Sequence, residues 1–265
     1  PELAEAHFLV GMVALELEDR RTALQAFGTV TRLRPQHGAA WAQLAWLYAR
    51  GGDIAGADRA LGEAIGHAGD SPAVADLIGT TSTLLGEQVQ ARDWYRRAVE
   101  GAPGRIDYRI NLANAELFLG AGDAAEAQIR AVLAASPRNA QAHWLLAGLR
   151  TARDRTHVAE LEALVATPRH TDRELAFLCY ALGKELEDLG DWDASFAAYA
   201  RGARHRRATL TFDEAAEERL FATVTRTYTA AWLARQLPGD PDPAPIFVIG
   251  QPRTGTTLVE RILAA

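Results

Sequence analysis

The chain has 265 residues, of which 48% are apolar and 23% charged, and its formal net charge is -6 at pH 7. A chain of this size can form one long repeat array or two domains, and its negative charge excludes a general attraction to nucleic acid, whose binding depends on neutralising phosphates. No apolar run approaches the ~20 residues that cross a bilayer, so we expect no membrane span.

Alanine recurs along most of the chain at a constant step of 34 residues, at Ala23, Ala57, Ala91, Ala125 and Ala159. A second set of small residues keeps this step: Gly11, Ala45, Gly79, Ala113 and Ala147. A larger apolar residue follows four of the alanines, at Phe27, Leu61, Tyr95 and Ile129. Two antiparallel helices approach closely only where facing side chains are small. The period is that of the tetratricopeptide repeat (TPR).

This spacing predicts an all-α superhelix of helix-turn-helix units. We expect five regular repeats, at about 4–37, 38–71, 72–105, 106–139 and 140–170, and a sixth, shifted unit at about 172–206. The shift is inferred because Gly183 repeats Ala147 after 36 residues, which places an insertion near Pro168. Thr171 and Glu174 have the spacing of a capping box, which predicts that a helix restarts there.

The first helix of each TPR unit is expected on the concave face of the superhelix, where partners bind. The residues placed on this face by register are Phe8, Trp46, Ile110, Phe118 and Trp144, with Asn114 and Arg50 between them. Such anchors favour a protein partner that supplies an extended peptide or a helix. The alternative is that some of them pack between repeats.

Other chemically active residues of the array are interpreted by their register. Cys179 falls at an inward position, which predicts a packed thiol, and a lone cysteine fits a reducing, cytoplasmic compartment. His7 and His143 share one repeat position without a Cys or acidic partner at metal-ligand spacing, so we expect no metal. A basic run is either solvated at a helix C-terminus or contacts an anionic substrate or the next domain; it comprises Arg201, Arg204, His205, Arg206 and Arg207.

A different pattern begins after residue 206. Thr211 and Glu214 repeat the capping-box spacing and predict a long helix that ends at Pro238-Gly239. We therefore divide the chain into a repeat array at 1–206, a bridging helix and linker at 207–243, and the start of a further domain at 244–265.

The last part of the sequence predicts a strand, a phosphate-binding loop and a helix. The apolar run at 245–249 is the strand, and residues 250–257, Gly-Gln-Pro-Arg-Thr-Gly-Thr-Thr, form the loop. Backbone N–H groups of such a loop converge on an anion, next to the positive end of the helix dipole. The loop fits the frame of a nucleotide-binding P-loop, but Thr256 stands where an ATPase or GTPase has lysine.

The segment from Pro245 to Leu263 resembles the 5′-phosphosulfate-binding loop of sulfotransferases that use 3′-phosphoadenosine 5′-phosphosulfate (PAPS). The similarity is greatest to the branch with tyrosylprotein sulfotransferases, in which Ser usually stands where this chain has Thr254. The junction with the repeats resembles bacterial sulfotransferases that carry a TPR array. The resemblance implies a P-loop α/β sulfotransferase domain with PAPS as co-substrate and no metal.

The resemblance also implies roles for the loop residues. Arg253 would be catalytic, by neutralising the bridging and sulfuryl oxygens of PAPS. The cofactor-binding residues would be Arg253, Thr254, Gly255, Thr256 and Thr257. The family's general base and 3′-phosphate site would follow Ala265, so we expect an N-terminal piece that is inactive alone.

The sequence thus favours a PAPS-dependent sulfotransferase that acts on a hydroxyl acceptor, such as protein tyrosine, with the array binding a protein or peptide. Carbohydrate, lipid and small phenols stay open as acceptors. The alternative is a non-catalytic TPR scaffold with a degenerate terminal P-loop. A nucleotide or nucleoside kinase is disfavoured by Thr256.

Overall fold

The structure is a computed structural model that describes residues 3–235, 244, 246–251 and 254–264. The chain divides into two compact units, residues 1–210 and residues 211–265. The described residues form fifteen α-helices and no strand. None of these helices has both the length and the apolar character that crossing a membrane requires.

The first unit consists of six pairs of helices. Their bounds are α1 Ala4–Glu16, α2 Arg20–Leu33, α3 Gly38–Arg50, α4 Ile54–Gly66, α5 Pro72–Leu85, α6 Gln88–Gly101, α7 Ile106–Phe118, α8 Gly122–Ala135, α9 Ala140–Leu149, α10 Thr156–Ala166, α11 Asp172–Asp188 and α12 Trp192–Ala208. The first helices of five successive pairs begin at residues 4, 38, 72, 106 and 140, which is the 34-residue step of the sequence. The predicted all-α repeat array is confirmed.

Short polar side chains fix where many of these helices begin. The side chains of Asp19, Asp53 and Asn139 accept hydrogen bonds from the backbone N–H three residues later, at 3.0, 2.8 and 2.8 Å. The predicted capping box is present, because the Thr171 N–H donates to Glu174 Oε2 at 2.8 Å and the Glu174 N–H donates to Thr171 Oγ1 at 3.2 Å. Each cap pairs an N–H that the helix itself leaves unpaired.

Glycine in the first helix of a pair faces an aromatic ring of the second helix. Three pairs show this contact: Gly11 with Phe27, Gly79 with Tyr95 and Gly183 with Tyr199. A Cβ added to these glycines would lie 2.6, 2.7 and 2.9 Å from the nearest ring carbon, so no side chain fits there. Four of the periodic alanines are fully buried: Ala23, Ala57, Ala91 and Ala125. The repeat thus records the close approach of paired helices.

The fifth pair departs from this register. Ala159 is exposed and Val158 is buried instead, so the prediction that Ala159 packs like the other alanines is wrong. In this pair α9 has only 10 residues, where the earlier first helices have 13 or 14, and its connection to α10 has six residues instead of two or three. Asp188 Oδ2 holds this connection by accepting hydrogen bonds from the Ala152 N–H at 2.7 Å and Lys184 Nζ at 2.5 Å.

First helices of neighbouring pairs pack side by side in the first unit. α3 contacts α5, α5 contacts α7, and α9 contacts α11. Because of these contacts, side chains on consecutive first helices share one face of the array.

The sixth pair is longer than the others. Its helices α11 and α12 have 17 residues each, whereas the helices of the first four pairs have 13 or 14.

The second unit contains α13 Glu214–Thr227, α14 Ala230–Leu233 and α15 Thr256–Leu263. The predicted cap of α13 is wrong, because Asp213 rather than Thr211 accepts the hydrogen bond, from the Ala216 N–H at 3.0 Å. The single long helix is also wrong. Thr229 accepts a hydrogen bond from the Trp232 N–H at 3.2 Å and thereby starts α14 after α13 has ended. The predicted stop at Pro238-Gly239 lies outside the described residues.

The strand predicted at 245–249 is not formed by its described part. Residues 246–250 have no regular secondary structure, and Pro245 lies outside the described residues. A strand is stabilised by hydrogen bonds to a neighbouring strand. No described segment of the chain supplies such a neighbour. The sequence correctly indicated the helix that follows the loop, which is α15.

Candidate functional site

Three aromatic side chains lie together on the face formed by the first helices. Trp144 of α9 is 41% exposed, and its ring centroid lies 5.4 Å from that of Phe177 on α11. Tyr180 lies one turn further along α11 and lines the same cavity, whose volume is about 500 Å³. We name Trp144, Phe177 and Tyr180 the aromatic shelf. A shelf of this kind can receive an apolar side chain of a partner.

The predicted groove anchors have different surroundings. Trp144 and Phe118 are exposed, whereas Phe8 and Trp46 are half-buried. Ile110 is buried in the core of the fourth and fifth pairs, so its prediction as a groove residue is wrong. The register could not separate these cases, because one position of a first helix faces either the groove or the next repeat.

Sequence reasoning missed two of the three shelf residues. Tyr180 follows Trp144 by 36 residues, which is the shifted step that the sequence already showed for the sixth unit. The 36-residue step was inferred from Ala147 and Gly183. Applied to Trp144 as well, it would have predicted Tyr180. Phe177 has no such signal, since it lies one turn before the repeated position.

A second cavity on the same unit surrounds Phe118 and has a volume of about 330 Å³. Asn114 lines it, and so does Asn111, whose amide donates to Asp76 Oδ1 at 2.9 Å. Burial raises the pKa of the Asp76 carboxyl. This cavity combines two aromatic side chains, those of Tyr95 and Phe118, with amide groups, and it carries no cationic residue in its lining.

A cavity of about 750 Å³ opens beside the aromatic shelf, where the start of α9 meets the segment before α11. Arg173 and Phe177 line both this cavity and the one at the shelf. Its other cationic lining residues are Arg138 and Arg169, and its carboxylate is that of Glu174. We name the group Arg138, Arg169 and Arg173 the cationic pocket. The two cavities together offer apolar and positively charged surface side by side.

Two buried histidines and a buried glutamate connect three helices. His143 Nε2 lies 2.9 Å from the Pro137 carbonyl oxygen, and its Nδ1 lies 2.9 Å from His157 Nε2. His157 Nδ1 lies 2.7 Å from Glu185 Oε1. Burial lowers the pKa of His143, so this ring is neutral and donates to the carbonyl. His157 then donates from Nε2 to His143, and its Nδ1 forms a hydrogen bond with Glu185.

This chain of hydrogen bonds explains His143 without a metal ion. His143, His157 and Glu160 can bring one ligand atom each within 4.8 Å of one another. The His143 nitrogen nearest Glu160, at 3.9 Å, already faces the Pro137 carbonyl, and its other nitrogen faces His157. The sequence missed His157 and Glu185, the other two side chains of this chain of hydrogen bonds, because they lie on α10 and α11 and show no periodicity.

Cys179 is fully buried on α11, and burial raises the pKa of its thiol. A raised thiol pKa lowers the fraction of reactive thiolate. The prediction of a packed thiol is confirmed.

The basic run lies in the last two turns of α12. His205 Nδ1 lies 2.8 Å from Asp172 Oδ1, and the Arg206 guanidinium donates to Thr209 Oγ1 at 3.0 Å. Arg206 also lines the cavity at the aromatic shelf. The run therefore combines contacts at the helix end with one side chain that adds positive charge beside the shelf.

The start of α15 has features of an anion-binding turn. Gly255 has φ +91°, a left-handed conformation that favours glycine. No side chain among the described residues caps α15, which begins at Thr256. The N–H groups of its first turn, including that of Thr257, are therefore left for another acceptor.

The turn before α15 is closed by its own residues. Thr254 Oγ1 donates to the Gln251 carbonyl at 2.7 Å, and a Cβ on Gly250 would lie 2.6 Å from that same hydroxyl oxygen. Gly250 is thus required for the close approach. Arg253, the predicted catalytic residue, lies outside the described residues.

Two matches to family models cover parts of the first unit. Both models are described as tetratricopeptide repeat, and they match residues 14–79 and 110–169. A curated relative, an uncharacterized protein of Aquifex aeolicus (strain VF5), is 29% identical over 106 residues. This match covers 40% of the chain but only 14% of that relative.

Solved structures show the same fold at low identity. The chain is similar to PilW, a type IV pilus biogenesis factor, with TM-score 0.58 and 17% identity over 84% of this chain and 98% of that one. The structure of pilF from Pseudomonas aeruginosa gives TM-score 0.58, 16% identity, and coverage of 84% and 97%. YrrB, titled a TPR protein with an unusual peptide-binding site, gives TM-score 0.50, 16% identity, and coverage of 74% and 92%. These findings support a TPR scaffold better than they support an enzyme.

Proposed function

We propose that this tetratricopeptide repeat protein is an interaction scaffold whose first-helix face binds an extended peptide segment of a partner protein. The aromatic shelf carries this proposal. Trp144 leaves 41% of its surface exposed beside a cavity of about 500 Å³, although a buried position would stabilise the fold more. Exposed aromatic side chains next to a cavity are typical of binding surfaces.

The arrangement suits a peptide better than a small molecule. The shelf and the cationic pocket lie on one face and share Arg173 and Phe177, so their combined surface is long and open. Small-molecule sites enclose most of their ligand, whereas extended peptides use a few anchor side chains along a groove. YrrB, which is similar in fold, is a TPR protein with a peptide-binding site.

Trp144→Ala is expected to weaken peptide binding without unfolding the array. Peptides selected from a displayed random library on the wild-type chain should lose about 2 kcal/mol of binding free energy, or roughly 30-fold in Kd, because aromatic anchors dominate such interfaces. The matched control is Trp192→Ala, which removes an exposed tryptophan of α12 that lines neither cavity. Titration calorimetry measures both variants. Equal affinity of the two variants, or a library that yields no binder, would contradict the proposal.

We further propose that the second unit begins a PAPS-dependent sulfotransferase domain, to which the array delivers its partner. The described part of the loop fits an anion: Gly255 adopts a left-handed conformation, and no side chain of the described residues caps the start of α15. Thr254, Gly255, Thr256 and Thr257 would hold the 5′-phosphate through backbone N–H and hydroxyl groups, and Arg253 would neutralise negative charge. PAPS, when bound, supplies the sulfuryl group.

A protein that carries this loop is expected to bind 3′-phosphoadenosine 5′-phosphate more tightly than ATP. The reason is that Thr256 replaces the lysine that reaches the β/γ-phosphates of ATP. Arg253→Ala should weaken binding of the first nucleotide by about 1.5–3 kcal/mol, the worth of a charge-assisted hydrogen bond. Calorimetry with both nucleotides on the full-length protein checks this. Stronger ATP binding, or an Arg253→Ala variant with unchanged affinity, would refute the assignment.

A further inference from the structure

We propose that the cationic pocket selects an acidic peptide, by binding carboxylate side chains next to an apolar residue that lies on the aromatic shelf. This inference rests on the proposed function, since it names the chemistry of the peptide that the first-helix face binds. It adds a specific ligand class to a surface that is otherwise assigned only as a peptide-binding site.

The arginines of the pocket form no ion pair and no hydrogen bond with an anionic side chain within the described part of the chain. Arg138 and Arg169 make no ion pair or hydrogen bond there, and Arg173 only stacks its guanidinium over the Phe177 ring, at 5.9 Å. Many other arginines of the array are paired with carboxylates, for example Arg130 with Glu126 at 2.5 Å. Three neighbouring unpaired guanidinium groups repel one another, and an anionic ligand would remove this repulsion.

Glu174, the carboxylate in the pocket lining, is already occupied. Its Oε2 accepts hydrogen bonds from both the N–H and the hydroxyl of Thr171, each at 2.8 Å. These hydrogen bonds and, to a smaller extent, the charge of Arg138 lower the pKa of Glu174. Glu174 therefore stabilises the start of α11 without forming an ion pair with Arg138 or Arg173. Guanidinium groups bind carboxylates in a bidentate manner, which favours Asp and Glu side chains.

His170 supplies an independent sign of a missing acceptor. Its side chain lines the same cavity and is only 6% exposed, yet its Nε2 has no hydrogen-bond partner among the described residues. Its Nδ1 lies 3.9 Å from Glu174 Oε2. Buried polar atoms are normally paired, so we expect the His170 ring to turn towards the cavity and pair when a ligand carboxylate binds there.

The charge of the whole chain makes this pocket distinctive. The formal net charge is -6, so the chain as a whole does not attract an acidic peptide. The cationic pocket, with Arg206 of the shelf cavity beside it, is positive against this background. An acidic segment would thus be directed to the pocket, and the shared residues Arg173 and Phe177 place its apolar neighbour on the shelf.

The test uses short fluorescent peptides with a central phenylalanine flanked by glutamates, by glutamines or by phosphoserines. The glutamate peptide should bind the wild-type chain about tenfold more tightly than the glutamine peptide, since one charge-assisted hydrogen bond is worth at least that factor. Arg138→Gln with Arg173→Gln should abolish the difference. The charge-matched control is Arg59→Gln with Arg153→Gln, two exposed arginines outside both cavities, and should keep it.

Each other outcome overturns the inference in a recognisable way. Equal binding of glutamate and glutamine peptides, with loss on Trp144→Ala, would keep the peptide-binding function and remove the acidic preference. A phosphoserine peptide that binds about tenfold more tightly than the glutamate peptide would assign the pocket to phosphate. Failure of all three peptides, together with a displayed library that yields no binder, would overturn both proposals.

Discussion

Glu185→Leu is expected to lower the free energy of unfolding of the array by about 3 kcal/mol, because it breaks a buried polar pair from one side. The Glu185 side chain is 1% exposed, and its Oε1 lies 2.7 Å from His157 Nδ1 and 3.8 Å from the Arg150 guanidinium. Without the carboxylate, the buried Nδ1 of His157 has no hydrogen-bond partner. Urea unfolding followed by circular dichroism measures the loss.

Glu160→Leu is the matched control for that variant. Glu160 lies on α10, its side chain is more than half exposed, and it approaches the same cluster only at 3.9 Å from His143 Nε2. Its replacement should change the stability by less than about 0.5 kcal/mol, as is usual for exposed ion pairs. Similar losses in the two variants would show that the buried chain of hydrogen bonds contributes nothing specific.

Ala91→Leu is expected to destabilise the array by about 2 kcal/mol through overpacking. Ala91 is fully buried on α6, which packs against α5, so the added carbons would have to displace neighbouring side chains or separate the two helices. Thermal or urea unfolding of the purified chain checks the magnitude.

Ala159→Leu is a close control, because Ala159 occupies the same place in the sequence period but is exposed on α10. We expect its stability to stay within about 0.5 kcal/mol of the wild type. A wild-type stability for Ala91→Leu, or a loss in Ala159→Leu of the same size, would mean that the pairing of helices has been misassigned.

The repeat array was predictable because its packing recurs. Each close approach of paired helices demands a small residue at a fixed place, so Gly11 and Gly79 report the same contact at positions 68 residues apart. The capping residues then fix where helices begin, as Thr171 does for α11. A feature that is repeated for a physical reason appears in the sequence as a period.

The errors occurred where that period is interrupted or where partners are far apart in sequence. In the fifth pair, where α9 ends early, Val158 is buried in place of Ala159, although α10 begins at the regular place in the period. The hydrogen bonds from His143 to His157 and from His157 to Glu185 form only through tertiary packing. Of the three residues of the aromatic shelf, only Trp144 was predicted. It follows the regular register, whereas Phe177 does not.

The phosphate-binding loop shows a different limit. Its sequence indicated a turn followed by a helix, and Gly255 and α15 agree with this. The strand before it depended on hydrogen bonds to other strands, which a local apolar pattern cannot supply. The proposed role of the loop must therefore be tested by measuring nucleotide binding, since the fold of the described residues does not test it.

The most direct test of the scaffold function is to map where a bound peptide lies. A library-selected peptide that carries a photoreactive group at its apolar anchor is cross-linked to the wild-type chain, and the labelled residues are identified by mass spectrometry. We predict labels on α9 and α11 at Trp144, Phe177 or Tyr180, because these residues surround the cavity that receives the anchor. Labels that fall instead on residues away from the first-helix face would contradict the account.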